Sequence, residues 1–151
     1  MAMRHSLVSG RAVAAIGLVA MAVAAGCGEN FPETVVTRGV VTHRGKPVSL
    51  GTISFQPAAR AGVAAARPAT GVLAPDGSYQ LHSFRHGDGV MPGQYQVTIE
   101  SYEEGGPTAE ETDRSLRWRI PEKYGHPVTS GLTATIPADA SGALTINFDL
   151  P

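Results

Sequence analysis

The sequence predicts an all-β domain, a seven-stranded antiparallel β-sandwich, and three observations predict it. Four runs alternate large apolar with polar residues, glycine- and proline-rich turn sequences separate them, and apolar spacing of the helical kind is almost absent. Strand side chains point to opposite faces in turn, so a period of two marks one buried and one wet face. Short strands at regular spacing, with turn signals between them, favour an antiparallel sandwich.

The chain opens with a different kind of segment. Arg4, His5 and Arg11 precede an apolar run from Ala12 to Ala25, which closes in Val23-Ala24-Ala25-Gly26-Cys27. The run is about 14 residues long, short of the roughly 20 needed to span a bilayer and within the usual length of a signal h-region. A charged start, a short apolar stretch and small residues before a thiol follow the order of a bacterial lipoprotein signal. On that reading residues 1–26 are a cleaved signal peptide, and Cys27 is lipidated and becomes the first mature residue. An uncleaved anchor helix and an ordinary secretory signal ending near Ala25 are the two other readings. Ala24 stands where lipoprotein signals more often carry Leu. The expected location is the cell envelope, with the exported protein held to a membrane, at the outer-membrane or periplasmic face or the cell surface, by its lipid. Two or three acyl chains hold effectively permanently, where one holds only marginally.

Residues 27–151 carry ten basic and thirteen acidic side chains, a net charge of −3. No basic cluster remains, so nucleic acid is not an expected partner. Cys27 is the only cysteine, which excludes thiolate zinc sites, cysteine nucleophiles and disulfides from the domain. The domain must hold together by its core alone, which a chain of this length can do.

Residues 28–35 show little periodicity and read as the rest of a lipidated tether, 27–35, leaving 36–151 as the sandwich domain. Strands are expected near 36–43, 49–56, 68–73, 78–83, 94–101, 130–136 and 143–150. The last is the cleanest, with Leu144, Ile146, Phe148 and Leu150 on one side and Thr145, Asn147 and Asp149 on the other. Arg44-Gly45-Lys46-Pro47, Ala74-Pro75-Asp76-Gly77, Met91-Pro92-Gly93 and Ala138-Asp139-Ala140-Ser141-Gly142 supply turns between strands. Ala58–Ala66 reads as a loop with one turn of helix at most. Tyr102 to Pro127 reads as a long irregular loop, acidic at first and basic later, carrying the only tryptophan. Loops of that length are uncommon in compact domains and often functional.

Several short patterns together resemble a known family. Gly39-Val40-Val41-Thr42 with Gly45-Lys46-Pro47-Val48, then Asp76-Gly77-Ser78-Tyr79-Gln80-Leu81, then Pro92-Gly93-Gln94-Tyr95-Gln96-Val97 resemble the carboxypeptidase regulatory-like, or transthyretin-like, domain. With Ile120-Pro121-Glu122-Lys123-Tyr124, Thr129-Ser130-Gly131-Leu132-Thr133-Ala134 and Phe148-Asp149-Leu150, the chain is similar to small lipoproteins of planctomycete-type bacteria. The resemblance covers 36–150 and implies a prealbumin-like or Ig-like sandwich with no established chemistry. It implies binding, adhesion or folding-support roles. One branch of the wider fold is a hydrolase with a His/Arg/His set and a Tyr-Arg-Gly-Ser tail. This chain ends Asn-Phe-Asp-Leu-Pro, so that activity is not carried over.

Candidate chemistry is sparse. His82, His86 and Asp88 are the most metal-like cluster, but a structural site usually wants four converging ligands, and exposed polar residues around a hairpin loop are the expected reading. No Gly-x-Ser-x-Gly turn supports a serine nucleophile, and Ser83 and His82, adjacent on a strand, would point apart. Glu103 and Glu104 read as a solvated charge run. Trp118 between Arg117 and Arg119 offers an aromatic face with guanidiniums beside it, and Tyr102 and Tyr124 could join it as a ligand platform. Alternatively Trp118 caps the sheet edge with the Arg heads in water, and Pro121 and Tyr124 lock the loop, the Tyr hydroxyl bonded to a backbone group. The expectation is a non-enzymatic, membrane-anchored module without cofactor or metal, whose partners are the membrane and an envelope protein or glycan.

Overall fold

The computed structural model describes residues 31–58, 67–103 and 117–151. The signal segment, Cys27, Ala59–Ala66 and residues 104–116, Glu104 among them, lie outside the described residues. The chain is mostly β. One sheet is built around β1 (Thr37–His43), the other runs β4 (Ala69–Val72), β3 (Thr52–Pro57), β6 (Gly93–Glu100), β9 (Leu132–Ile136). Short strands complete them: β2 (Lys46–Pro47), β5 (Ser78–Gln80), β10 (Leu144–Thr145) and β11 (Phe148–Leu150) around β1. A separate ribbon pairs β7 (Tyr102–Glu103) with β8 (Arg117–Trp118). A 3-10 turn (Glu122–Gly125) and one helical turn, α1 (Pro127–Ser130), lead into β9.

Pairing within the β4-β3-β6-β9 sheet is antiparallel, as expected. The other sheet corrects the expectation. β1 pairs antiparallel with β2 and β5 but parallel with β10 and β11, Thr37 opposite Leu144 and Val41 opposite Phe148. Periodicity reports which face a strand buries and is silent on its direction, so the parallel edge was not visible in the pattern. The 143–150 run also divides, because Asn147 takes over a ladder position with its side chain. Its Oδ1 accepts the Val40 N–H at 2.9 Å.

Both sheets send side chains into one core. Ile53, Phe55, Tyr95, Val97 and Ile99 come from the four-stranded sheet, and Val41, Tyr79, Phe148 and Leu150 from the other. Phe55 packs against Tyr95 and Phe148 with ring centroids 6.0 and 6.1 Å apart. Such tilted and edge-on pairs are the favoured aromatic geometry. Two buried tyrosines satisfy their hydroxyls on carbonyls, Tyr79 on Ile146 and Tyr95 on Met91, both at 2.7 Å. Burial pushes the pKa of both hydroxyls upward.

Turns fall where the sequence places them. Arg44 (φ 52) and Gly45 (φ 73) are both left-handed, the requirement of a two-residue type I′ hairpin between β1 and β2. Gly77 (φ 77) closes the turn in which its N–H reaches the Ala74 carbonyl at 2.9 Å, and Asp76 accepts the Ser78 N–H at 3.0 Å.

The folded unit begins at Phe31, five residues before the expected start of the domain. Val35 is buried and exchanges both backbone hydrogen bonds with Val90. Phe31 stacks on Phe84 at 5.0 Å. The burial alternation of β1 runs back through Thr37 to Val35, and Thr37 hides it from a hydropathy reading. Thr37 is fully buried, its hydroxyl donating to the Val35 carbonyl.

β1 and β6 both run from one end of the domain to the other. Val35, Val90, Phe31 and Phe84 lie at the starting end, and His43, Glu100 and the β7–β8 ribbon at the finishing end. Seven steps of about 3.3 Å along β6 separate the two ends by roughly 23 Å.

Candidate functional site

At the finishing end, β7 leaves β6 directly after Ser101, and β8 returns beside it with Tyr102 opposite Trp118. Ser101 is buried and fixes this exit, its hydroxyl donating to the Leu50 carbonyl at 2.7 Å while its own carbonyl accepts the Arg119 N–H at 2.9 Å. Trp118 is half-buried. One edge of its ring rests over Gly125, where a Cβ would lie 2.6 Å from Cη2. Its other neighbour is Tyr102, met edge-on at 5.8 Å and 74°, and Tyr102 is itself exposed.

The arginines divide. Arg117 is exposed, whereas Arg119 forms a 2.7 Å ion pair with Glu103 across the ribbon. Both side chains stay partly in water, so the pair contributes at most about 1 kcal/mol. It also leaves Glu103 a structural partner of Arg119, not one of two free carboxylates. Tyr124 takes the place of a loop lock and not of a platform member. It is 3 % exposed, packs in the core, and carries the Lys123 ammonium 4.8 Å from its ring centre. Its hydroxyl bonds no described residue. The carbonyl-bonding tyrosines are Tyr79 and Tyr95 instead. The sequence-predicted group therefore separates, with Tyr102, Arg117 and Trp118 on the ribbon, Arg119 directly after it and Tyr124 in the core.

Beside the ribbon lies a cavity of about 220 Å³ lined by His43, Lys46, Val48, Ser49, Ser101 and Arg119. The β1–β2 hairpin supplies one wall and Arg119 the other. His43 Nε2 is buried and has no hydrogen-bond partner among the described residues. The sequence reading missed this cavity, because its residues come from three elements that only the sheet pairing brings together. A larger, shallow groove of about 560 Å³ crosses the outer face of β1, β5 and β10, with Arg38, Val40, Val72, Gln80 and Asn147 along it.

The His82–His86–Asp88 cluster is organised around a loop. The Asp88 carboxylate accepts the backbone N–H groups of Ser83 (2.8 Å), Phe84 (3.0 Å) and Arg85 (2.9 Å). Burial works against the Asp88 charge, but those N–H bonds and nearby His82 together outweigh it and lower its pKa. His82 meets the Thr70 hydroxyl at 3.3 Å, and His86 is exposed. Among the described residues no three His, Cys, Asp or Glu side chains are grouped to hold a metal ion.

No family model, curated protein or solved structure matches the chain.

Proposed function

We propose that the protein is a non-enzymatic, envelope-anchored lipoprotein whose two β-sheets form a transthyretin-like sandwich with a structural or protein-interaction role at the membrane surface. Cys27 is the anchor, and residues 1–26 are the signal removed when it is acylated. The observation that supports this most is where the fold begins. Phe31 packs on the domain four residues after Cys27, and Val35 is already part of the core, so a lipid on Cys27 would bind the domain itself closely to a membrane. The roughly 23 Å between the two ends would hold the Trp118 ribbon away from that membrane. Incorporation of labelled palmitate tests the anchor: the wild-type chain takes up label and Cys27→Ala does not. Equal labelling of the two chains contradicts it.

A second reading, binding of a glycan or another small ligand, draws on the exposed Tyr102 ring, the half-buried Trp118 and the cavity beside Arg119. The ligand group is then Trp118, Tyr102, Arg117 and Arg119, without Tyr124. Trp118 is the only tryptophan, so its emission reports directly on that site. A saturable spectral shift on titration with envelope glycans supports this reading, and unchanged emission across a glycan panel removes it.

A further inference from the structure

We propose that the face built from Arg85, Phe31, Phe84 and Arg67 seats the domain on an anionic phospholipid surface. These four side chains form one stack at the starting end of the domain. The Arg85 guanidinium lies 4.7 Å from the Phe31 ring centre, Phe31 lies 5.0 Å from Phe84, and the Arg67 guanidinium lies 5.1 Å from the Phe84 ring centre. Phe31 is 37 % exposed and Phe84 half-buried, while Arg67 and Arg85 stand in solvent. Neither arginine forms an ion pair among the described residues.

Two aromatic rings bracketed by two guanidiniums match the chemistry of a bilayer interface. Exposed phenylalanine rings bury at the boundary between headgroups and acyl chains, and arginine stems lie along apolar surface with their heads at the phosphates. Each arginine near an anionic surface strengthens attraction about fivefold. The nearest acids qualify this little. Asp88 has its carboxylate committed to the N–H groups of Ser83, Phe84 and Arg85, which leaves Glu33 as the exposed acid of the leading segment among the described residues.

The occupant follows from chain length. This step rests on the Cys27 anchor. Four residues of fully extended chain reach about 13–14 Å, so Phe31 can lie no farther than that from an acylated Cys27. The headgroup layer on one side of a bilayer is itself roughly 5–8 Å thick. The anchor therefore holds this stack at the membrane, whereas the Trp118 ribbon is roughly 23 Å beyond it. The stack converts a point attachment into a seated orientation.

The test uses the mature lipidated protein in vesicles of phosphatidylglycerol and phosphatidylcholine, the latter brominated near the headgroup end of its acyl chains. Phe84→Trp and, separately, Phe31→Trp are compared with the wild type, whose sole tryptophan, Trp118, is the distal control. The expected result is at least twofold greater bromine quenching in both variants than in the wild type. Arg67→Glu with Arg85→Glu, added to Phe84→Trp, should return quenching toward the wild-type level. Quenching in both variants no greater than in the wild type overturns the stack as a lipid-facing surface. Palmitate labelling of the same preparations reads the anchor separately. Labelled protein without the added quenching leaves the anchor standing and removes the seating face, and unlabelled protein removes the anchor while the quenching still decides the stack.

Discussion

At the scale of single residues, positions that a hydropathy reading passes over set how closely neighbouring elements pack. Gly39 lets β1 approach the link between β10 and β11 so closely that a Cβ would sit 1.7 Å from the Ile146 carbonyl oxygen. That oxygen also receives the Tyr79 hydroxyl. Gly39→Ala is therefore expected to destabilise the domain by about 3 kcal/mol, the upper end for overpacking. Tyr79→Phe, which removes only the hydrogen bond, should cost about 0.5–1.5 kcal/mol. Urea titration followed by Trp118 emission ranks the two, and equal costs would show that the close approach at Gly39 is dispensable. Gly125 plays the same part under Trp118. Gly125→Ala should push the indole outward and red-shift its emission, and an unshifted spectrum would mean that the ring does not rest on Gly125.

At the scale of elements, the sequence exposed faces more readily than partners. Ile53, Phe55, Tyr95, Val97, Ile99, Phe148 and Leu150 all alternate as written in the sequence, and all are buried. The Arg44-Gly45 and Asp76-Gly77 turns were legible too, because Gly45 and Gly77 mark positions where positive φ favours few residue types. Direction and adjacency were not legible. Nothing in Leu144–Leu150 says that it lies parallel to β1, and nothing in His43, Ser49, Ser101 and Arg119 says that they share a cavity. Tyr124 stayed open between two places for a related reason, since an aromatic residue near arginines suits a surface platform as well as a core, and only its packing decides for the core. The parallel edge has a consequence that can be measured. Removing Leu144–Pro151 strips Phe148 and Leu150 from the core, each worth roughly 1.5–3 kcal/mol in burial alone. It also leaves one side of β1 without its ladder. Against a typical total stability of about 5–15 kcal/mol, that truncation should abolish cooperative unfolding; a sharp transition would contradict the central place given to β1.

At the scale of the whole molecule, the buried tyrosines and the capped aspartate bound the pH range of the fold. Tyr79 and Tyr95 have raised pKa values, so their contribution is complete below the unfolded value near 10 and is lost as pH rises beyond it. Asp88 has a lowered pKa, so its contribution is present above the unfolded value near 4 and is lost as pH falls below it. The urea midpoint should thus be flat between about pH 5 and 9 and fall on both sides. Tyr79→Phe should soften the alkaline fall and Asp88→Asn the acid one; a midpoint that changes steeply within the plateau would point to other titrating groups. The same view of the domain gives it two unlike ends, an arginine–phenylalanine stack where Phe31 begins it and an aromatic ribbon with a cavity at the other. An anchor at Cys27 would give those ends different surroundings, membrane for one and the envelope space for the other. The most direct measurement of that central claim is the mass of the mature N-terminal peptide from the native host. Lipidation at Cys27 gives a chain that begins at Cys27 and carries a thioether-linked diacylglycerol, and an unmodified N-terminus at any other residue rules the anchor out.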